Sequence, residues 1–408
     1  MAAITDEFTT LKESLRKLEA YCSREEYKGW DPYDGLNSRF FQSVPFLKKS
    51  VLARLAWIQL FKRNPFNLRR LFLVPRDYNP KGIALILSGY CNILRYQRMT
   101  GSTECGSEEV LLKKIDFLGD LLLSLRTSFS RSTSASCWGY NFDWQARRLF
   151  LFPKDTPTVV VTSFCASALI DAYKATGAER YLQVALLSVD FVMKDLHRTP
   201  KPEGFLFSYS PLPGNDTVYN ASLLGTKLLS LCYHYTENKE HLEAARASAA
   251  ACVAAQNSDG SWYYGELPVQ GWIDSFHTGY NLEALETYRE MTGDNSFDHA
   301  VVKGFDFYIK NFFLPDGTPK YYHNKTYPVD IHCPAQLFVT LCRLGKLDDY
   351  RDLAARVLSW TISNMQDRKG YFYYQKSRLY TNRISYMRWS NAFMFNALSL
   401  YLENVERS

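Results

Sequence analysis

The sequence lacks the cysteine and histidine patterns of a disulfide framework or a zinc site. Its nine cysteines form no C-x-x-C pair, and its seven histidines form no H-x-x-x-H pair. An odd number of cysteines without paired spacing is typical of reduced thiols in a cytosolic compartment. We therefore predict a cytoplasmic protein that uses no metal and no cofactor.

The chain also lacks the features that would direct it into a membrane or onto nucleic acid. Its N-terminus is a charged amphipathic segment without the apolar stretch of a signal peptide. No uninterrupted apolar run reaches the about 20 residues that a membrane helix needs. The net charge of +6 is small for 408 residues, and no zinc-finger or RNA-recognition signature is present. We expect no nucleic-acid partner.

What the sequence does contain is a repeat that is marked by a polar column. The column is Cys165, Asn220, His277, His332 and Arg388, and its steps are 55, 57, 55 and 56 residues. Regular spacing of this kind is the signature of a repeat architecture. The matching segments are "SFCASALIDAY" at 163, "YNASLLGTKLL" at 219, "FHTGYNLEAL" at 276, "IHCPAQLFVTL" at 331 and "MRWSNAFMFNAL" at 387.

Each repeat unit has the same internal order. An apolar first helix ends at a Gly or polar turn, an amphipathic second helix follows, and a Gly-aromatic segment closes the unit. An earlier unit fits this order, with helices over 81–101 and 108–126, whereas the last unit has no second helix after Leu402. We expect the helical segment 1–78 to supply it and so to close the ring. The prediction is an all-α (α/α)6 toroid, a six-hairpin barrel in which 1–408 form a single domain.

In such a ring the first helices form an inner barrel, and their starts surround a common cup. His277, His332 and Tyr280 are then candidates for proton transfer, and Arg388 for a bidentate contact with a sugar carboxylate. The alternative is structural: histidines that are hydrogen-bonded in the core, and an arginine that pairs with a neighbouring acid.

Carboxylates near the cup allow a second chemistry. Asp274 precedes the helix that carries His277, where it is either an N-cap or part of the site. Asp143 lies among aromatic residues in "NFDWQAR", a setting that raises a carboxyl pKa for acid catalysis. With Glu266 and Asp330 they could provide the carboxylate pair of a glycoside hydrolase, so hydrolysis remains open.

The Gly-aromatic segments should rim the cup and offer flat faces on which sugar rings stack. Because they occupy equivalent places in successive repeats, we expect their aromatic side chains to share one cavity wall. The predicted substrate-binding residues are Trp138, Tyr140, Asn220, Trp262, Tyr264, Glu266, Tyr322, Tyr373 and Trp389.

Four motifs carry a resemblance to known proteins: "GWDPYDGLNSRFF" at 29–41, "NPKGIALILSGY" at 79–90, "CWGYNFDWQAR" at 137–147 and "WIDSFHTGYNLEAL" at 272–285. They resemble a bacterial family that is linked to exopolysaccharide and O-antigen biosynthesis. The six-hairpin ring also resembles carbohydrate-active toroids, namely N-acylglucosamine 2-epimerases, unsaturated glucuronyl hydrolases, toroid polysaccharide lyases and the C-terminal domain of glucuronyl C5-epimerases. In the epimerase group inner-helix histidines act with an arginine, which implies such roles for His277, His332 and Arg388.

Residues 46–76 combine basic residues with Trp57, Leu60 and Phe61, and two interpretations are open. Such a segment can lie on anionic lipid, which would associate the protein with a membrane. We favour an outer toroid helix that is broken at Asn64-Pro65 and has a solvated basic face, since ring closure needs a helix here.

These observations together predict a carbohydrate-active enzyme of bacterial surface polysaccharide metabolism. We expect an acidic saccharide to bind in the cup and to react by proton transfer, as in an epimerase or a lyase. The alternatives are a glycoside hydrolase and a noncatalytic glycan-binding or scaffold protein that acts with polysaccharide biosynthesis proteins.

Overall fold

The structure is a computed structural model that describes residues 2–128, 135–146 and 150–405. Helices make up most of these ranges, and the strands within them are only two to four residues long. The predicted all-α class is confirmed.

Six inner helices form a closed ring in which each helix packs against the next and the last packs against the first. A π-helix, Met387–Ala392, leads directly into the last of them. This is the predicted (α/α)6 toroid. The inner helices are α5 (Pro80–Thr100), α7 (Val159–Thr176), α10 (Tyr219–Thr236), α12 (Ser275–Thr292), α14 (His332–Arg343) and α16 (Phe393–Val405).

Local capping residues explain where several inner helices begin and end. Asn79, Thr158 and Asp274 are N-caps, and each side chain accepts a hydrogen bond from the backbone N–H three residues later. Gly177 and Gly293 end α7 and α12 with left-handed φ angles of 72° and 73°. The repeat predicted a start at 163 for α7, but the Thr158 cap places the start one turn earlier.

An outer helix packs against each inner helix and completes the hairpin. The first of them, α1 (Ala2–Arg24), packs against α16 and also contacts α15 (Arg351–Met365), so the two ends of the chain meet in the last hairpin. The outer helices are α1 (Ala2–Arg24), α6 (Glu108–Ser124), α8 (Glu179–Leu186), α11 (Lys239–Ala254), α13 (Asp298–Phe312) and α15 (Arg351–Met365). Helix α8 continues through a short α9 (Ser188–Asp190) and a π-helix, Phe191–Asp195.

Short antiparallel strands lie in the segments that connect the hairpins. The β1–β2 pair aligns Trp144 with Phe152, and the β3–β4 pair aligns Arg198 with Phe207. The strands are β1 (Trp144–Ala146), β2 (Phe150–Phe152), β3 (Arg198–Lys201), β4 (Gly204–Phe207), β5 (Val329–Asp330), β6 (Gln375–Lys376) and β7 (Thr381–Asn382), of which the last three form one sheet in the order β5-β6-β7.

Residues 34–76 form a separate layer, here called the mouth segment. It contains a 3-10 helix (Asp34–Asn37) and the helices α2 (Arg39–Ser43), α3 (Pro45–Lys49) and α4 (Val51–Arg63). Helix α4 packs on the 3-10 helix and on β1 rather than on an inner helix. The preferred interpretation of 46–76 as an outer toroid helix is therefore wrong, because α1 already occupies the outer position beside α16.

One apolar core runs through the ring, and it contains residues from α1 to α16. Within it, α7 is long and apolar enough to cross a membrane by length and composition, but 67% of its residues are buried inside the protein, as in a core helix. Gly279 on α12 sits so close to α14 that an added Cβ would lie 2.4 Å from Cγ of Gln336. This contact fixes the two helices that carry His277 and His332.

Candidate functional site

A cavity of about 620 Å³ lies at the end of the ring where the inner helices begin. All six inner helices, or the turn that leads into them, contribute to its wall through Lys81, Val160, Asn220, His277, His332 and Arg388. The mouth segment adds Gln59, Lys62 and Arg63, and Tyr33, which precedes it, also lines the cavity. Most other lining side chains are aromatic, and none of the described lining residues is Asp or Glu.

His277 is held by a buried carboxylate. Asp274 accepts hydrogen bonds from Nδ1 of His277 at 2.7 Å, from Nε1 of Trp272 at 2.8 Å and from the backbone N–H of His277 at 3.0 Å. Its side chain is 1% exposed, whereas that of His277 is 21% exposed and lines the cavity. Because Asp274 binds the proton on Nδ1, Nε2 of a neutral His277 is left as the basic ring nitrogen. Asp274 is thus an N-cap whose side chain also holds His277.

His332 and Tyr280 form a second polar pair in the cavity wall. Nε2 of His332 lies 2.6 Å from the Tyr280 hydroxyl, and Phe276 stacks on the imidazole at 4.4 Å and 9°. Burial, and then the charge of Lys81, lower the pKa of His332 well below its usual value. Burial also raises the pKa of the Tyr280 phenol well above its usual value. Both groups are therefore neutral at physiological pH, and the phenol keeps its proton.

Arg388 reaches the cavity, but its charge is already paired. Its Nη2 donates to Oδ1 of Asp31 at 2.8 Å and its Nε donates to Oδ2 of the same carboxylate. Burial acts to lower the pKa of the guanidinium, but the contact with Asp31 outweighs it and the pKa is raised. Arg388 does make a bidentate contact, but its partner is Asp31, a carboxylate of the chain itself, as in the structural alternative.

Three buried aspartates lie outside the cavity wall and orient the groups that line it. Asp274 holds His277, Asp31 holds Arg388, and Asp330 accepts hydrogen bonds from Nε1 of Trp389 at 2.9 Å and from the backbone N–H of His332 at 3.0 Å. A carboxylate that accepts a hydrogen bond from a functional group fixes the orientation of that group. The aspartates thus support the wall without forming part of it.

The two other predicted carboxylates lie outside the cavity. Asp143 accepts a hydrogen bond from the backbone N–H of Lys154 at 2.6 Å and belongs to the loop before β1. Glu266 pairs with Nζ of Lys201 at 2.6 Å on the rim of the ring. Neither carboxylate lines the cavity that contains the histidines. The structure therefore does not bring Asp143 and Glu266 together with His277 and His332.

Four of the seven predicted aromatic residues line the cavity. Tyr140, Tyr264, Tyr322 and Trp389 line the cavity together with Asn220, and Tyr264 stacks on Trp272 at 4.3 Å and 13°. Stacked rings of this kind offer a flat surface to a sugar.

Trp138, Trp262 and Tyr373 do not line the cavity, and for them the prediction of a shared wall is wrong. The indoles of Trp138 and Trp262 donate to the backbone carbonyls of Leu122 and Cys252, near the ends of α6 and α11. They attach the connecting segments to the preceding outer helices. The Tyr373 hydroxyl instead donates to Asp367 at 3.0 Å.

Lys81, the second residue of α5, also belongs to the site, although it is not among the residues predicted from the sequence. Its side chain is 3% exposed, lines the cavity, and places Nζ 3.9 Å from the centre of the Phe164 ring. A signal was present, because Lys81 is the only charged residue of "NPKGIALILSGY". Aligning the N-caps Asn79 and Asp274 also places it level with Phe276, another lining residue.

Asp330 gives a testable pH dependence of stability. Burial raises its pKa from 3.8 to about 6. Because the folded state holds the proton more tightly than the unfolded state, the free energy of unfolding should fall as the pH rises from about 4 to about 6. The contribution of this group is roughly 3 kcal/mol. We expect Asp330→Asn to remove this part of the fall.

The measurement is urea denaturation of the wild type and of Asp330→Asn across that pH range. The difference between the two proteins isolates Asp330 from other groups, including Asp34, whose pKa burial also raises to about 6. Parallel pH profiles would show that Asp330 is already ionised at low pH in the folded state.

No protein-family model matches the sequence, and no curated protein matches it. Solved structures do match in fold. A sugar epimerase from a ruminal bacterium has a TM-score of 0.59 at 14% identity and covers 82% of this chain and 90% of its own. The cellobiose 2-epimerase from Bacillus thermoamylovorans B4167 has a TM-score of 0.60 at 14% identity, with 80% and 88% coverage. An unsaturated glucuronyl hydrolase specific for heparin has a TM-score of 0.59 at 13% identity and covers 98% of each chain. At these identities the similarity establishes the toroid fold.

Proposed function

We propose that the protein is a carbohydrate-active enzyme that transfers protons on an acidic saccharide bound in the cavity. The observation that carries this proposal is the composition of the wall: two histidines, several tyrosines, two lysines and two arginines, with no Asp or Glu among its described residues. Hydrolysis by paired carboxylates needs two such groups facing the sugar. Proton transfer needs a base and an acid, and the wall contains candidates for both.

The geometry suggests which group acts as the base and which as the acid. Nε2 of His277 can remove a proton from carbon next to a carbonyl or carboxylate group, while Asp274 stabilises the imidazolium that forms. The Tyr280 hydroxyl, which His332 orients at 2.6 Å, can donate a hydrogen bond or a proton to the developing negative charge. Return of the proton to the opposite face would give an epimer, whereas loss of a β-substituent would give an unsaturated product of the lyase type.

Two further observations support a saccharide as the ligand. The stacked pair Tyr264 and Trp272 and the nearby Tyr140 and Trp389 provide aromatic faces in one wall. Structures of similar fold include a sugar epimerase and a cellobiose 2-epimerase. The motif resemblance supports a role in bacterial surface polysaccharide metabolism, in the cytoplasm and beside other biosynthetic proteins.

The test is incubation with uronic acids and uronic-acid oligosaccharides in D2O. An epimerase would incorporate deuterium from solvent at the carbon that loses its proton, and a lyase would produce an unsaturated uronate. A co-crystal structure would show which groups reach the sugar. Binding without deuterium incorporation or product would favour the noncatalytic glycan-binding alternative, and no binding of any saccharide would refute the proposal.

We also propose that the mouth segment lies on an anionic membrane surface. Residues 39–76 contain nine Lys and Arg, of which only Arg69 is buried, and no Asp or Glu. A surface with exposed apolar side chains and only positive charge is complementary to anionic lipid headgroups. Of the large apolar side chains that the structure shows as exposed, eight lie in this stretch: Phe40, Phe46, Val51, Leu52, Leu60, Phe66, Leu71 and Leu73.

A triple variant of Phe46, Leu52 and Phe66 to Ser should bind vesicles at least about tenfold more weakly than the wild type, because apolar area would no longer enter the interface. The measurement is co-sedimentation with phosphatidylcholine vesicles that contain phosphatidylglycerol. The control is Val302→Ser with Leu379→Ser, which removes exposed apolar side chains elsewhere. Equal binding of all three proteins, or equal binding to vesicles without phosphatidylglycerol, would contradict the proposal.

A further inference from the structure

Lys81 is a buried lysine that forms no ion pair with any residue that the structure describes. It is 3% exposed, and no described carboxylate lies within 4.0 Å of its Nζ. Other strongly buried cations are paired: Arg69 with Asp34 at 2.7 Å, and Arg388 with Asp31. A buried charge that lacks a partner is costly, so the surroundings of Lys81 need an explanation.

The aromatic rings around Lys81 attract a positive charge, but burial of the side chain disfavours it. Its Nζ lies 3.9 Å from the ring centre of Phe164, 5.0 Å from that of Phe393 and 5.3 Å from that of Tyr280. The faces of aromatic rings attract a cation. Rings alone do not replace the water that burial removes, and the pKa of Lys81 is lowered well below its usual value by burial and then by Arg388.

The cavity wall therefore contains a buried amine whose ammonium form a ligand anion would stabilise. Arg388 cannot fill this role, because Asp31 already binds two of its nitrogens. Lys81 lines the same cavity as His277, His332 and Tyr280, the groups proposed for proton transfer. An anionic group placed at Lys81 would lie close to these groups.

We propose that Lys81 binds the carboxylate of the saccharide substrate, and this inference rests on the proposed function. The role that the sequence suggested for Arg388 then belongs to Lys81. A carboxylate at Nζ would supply the missing counter-ion and stabilise the ammonium form. Binding of a uronate should consequently be accompanied by proton uptake at pH values where free Lys81 is partly neutral.

Several charged or titratable groups around Lys81 bear on this proton uptake. These groups lie on different elements, and they surround Lys81 whether or not a ligand is bound. These groups are Cys165 on α7, Tyr280 and Glu283 on α12, His332 on α14, Arg388 before α16, and Asp31 in the segment before the 3-10 helix.

The experiment is calorimetric titration with glucuronic, galacturonic and mannuronic acids and with the neutral sugars that differ from them only in a CH2OH group. Two buffers of different ionisation enthalpy would report the proton uptake. We expect Lys81→Met to weaken uronate binding by about ten- to a hundredfold and to abolish the uptake, because a charge-assisted contact is lost. Binding of the neutral sugars should be unchanged within about twofold. Lys81→Gln provides a second, polar variant, and melting curves would confirm that both variants fold.

A control variant, Lys303→Met, removes an exposed lysine on the outer helix α13 and should bind like the wild type. An equal loss for acidic and neutral sugars, or no loss, would overturn the role of Lys81 while leaving the proposed function intact. A wild-type protein that binds neutral sugars and no uronate would overturn both the role of Lys81 and the acidic saccharide of the proposed function, but not the binding of a saccharide in the cavity. A wild-type protein that binds no saccharide at all would refute both.

Discussion

Replacement of His277 by Gln is expected to slow proton exchange on the saccharide by about 10²- to 10⁴-fold, the usual contribution of a general base. The amide of Gln cannot accept a proton at neutral pH, although it fills a similar volume. Only the bond between Nδ1 and Asp274 is lost from the structure, since Nε2 of His277 donates to no described residue. The measurement is deuterium incorporation from D2O into the saccharide that the wild type processes.

Stability separates this result from a structural effect. The His277 side chain is 21% exposed, so we expect the melting temperature of His277→Gln to fall by no more than a few degrees. His299→Gln, at an exposed position on α13, should leave both exchange and melting unchanged. A His277→Gln variant that exchanges protons at the wild-type rate would remove His277 from the mechanism.

His332 requires a different expectation, although the sequence treats the two histidines alike. It is fully buried, stacked on Phe276 and bonded to Tyr280 at 2.6 Å. Its truncation to Ala would leave a cavity and an unpaired phenol, so both activity and stability should fall. The equal spacing of the repeat predicts that the two residues share a column, but it contains no information on how deeply each one is buried.

The ring itself was predictable because the information for it is local and repeated. Capping residues such as Asn79, Thr158 and Asp274 mark helix starts within a few residues, and a repeat of 55 to 57 residues shows the pattern five times. The prediction was least accurate at α7, because this helix begins one turn before the start that the repeat predicts.

The mouth segment and the wall were less predictable because they depend on contacts between distant residues. The mouth segment occurs once, so no second copy indicates where it packs. Trp138 and Tyr140 are two residues apart, yet one attaches the connecting segment to α6 and the other lines the cavity. Local sequence does not distinguish these orientations, because the segment that carries them is irregular.

The contact between Arg388 and Asp31 is the strongest example, since 357 residues separate the two. It gives a structural meaning to the motif "GWDPYDGLNSRFF", which the resemblance identified without a role. Asp31 binds Arg388, and Asp34 binds Arg69 at 2.7 Å. Arg69 in turn donates to the Tyr386 hydroxyl at 3.0 Å, which links the mouth segment to the turn before α16. Two aspartates of one short motif thus join both ends of the chain beside the cavity.

Removal of Asp31 should therefore be among the most destabilising single changes in the protein. Asp31→Ala would leave the guanidinium of Arg388, which is 3% exposed, without its carboxylate. Loss of one partner from a buried ion pair typically costs about 3 to 5 kcal/mol. The measurement is the free energy of unfolding from urea denaturation at neutral pH. Asp349→Ala breaks an exposed pair with Lys346 and should change this free energy little.

A double variant shows whether the loss comes from the uncompensated charge. Asp31→Leu combined with Arg388→Met removes both charges, and apolar replacements of a buried pair are often tolerated, so we expect most of the lost stability to return. If Asp31→Ala instead cost less than about 1 kcal/mol, Arg388 would have to be hydrated well enough to exist without Asp31. Its charge would then be available to a ligand, and Arg388 rather than Lys81 would become the first candidate for binding the carboxylate of the saccharide.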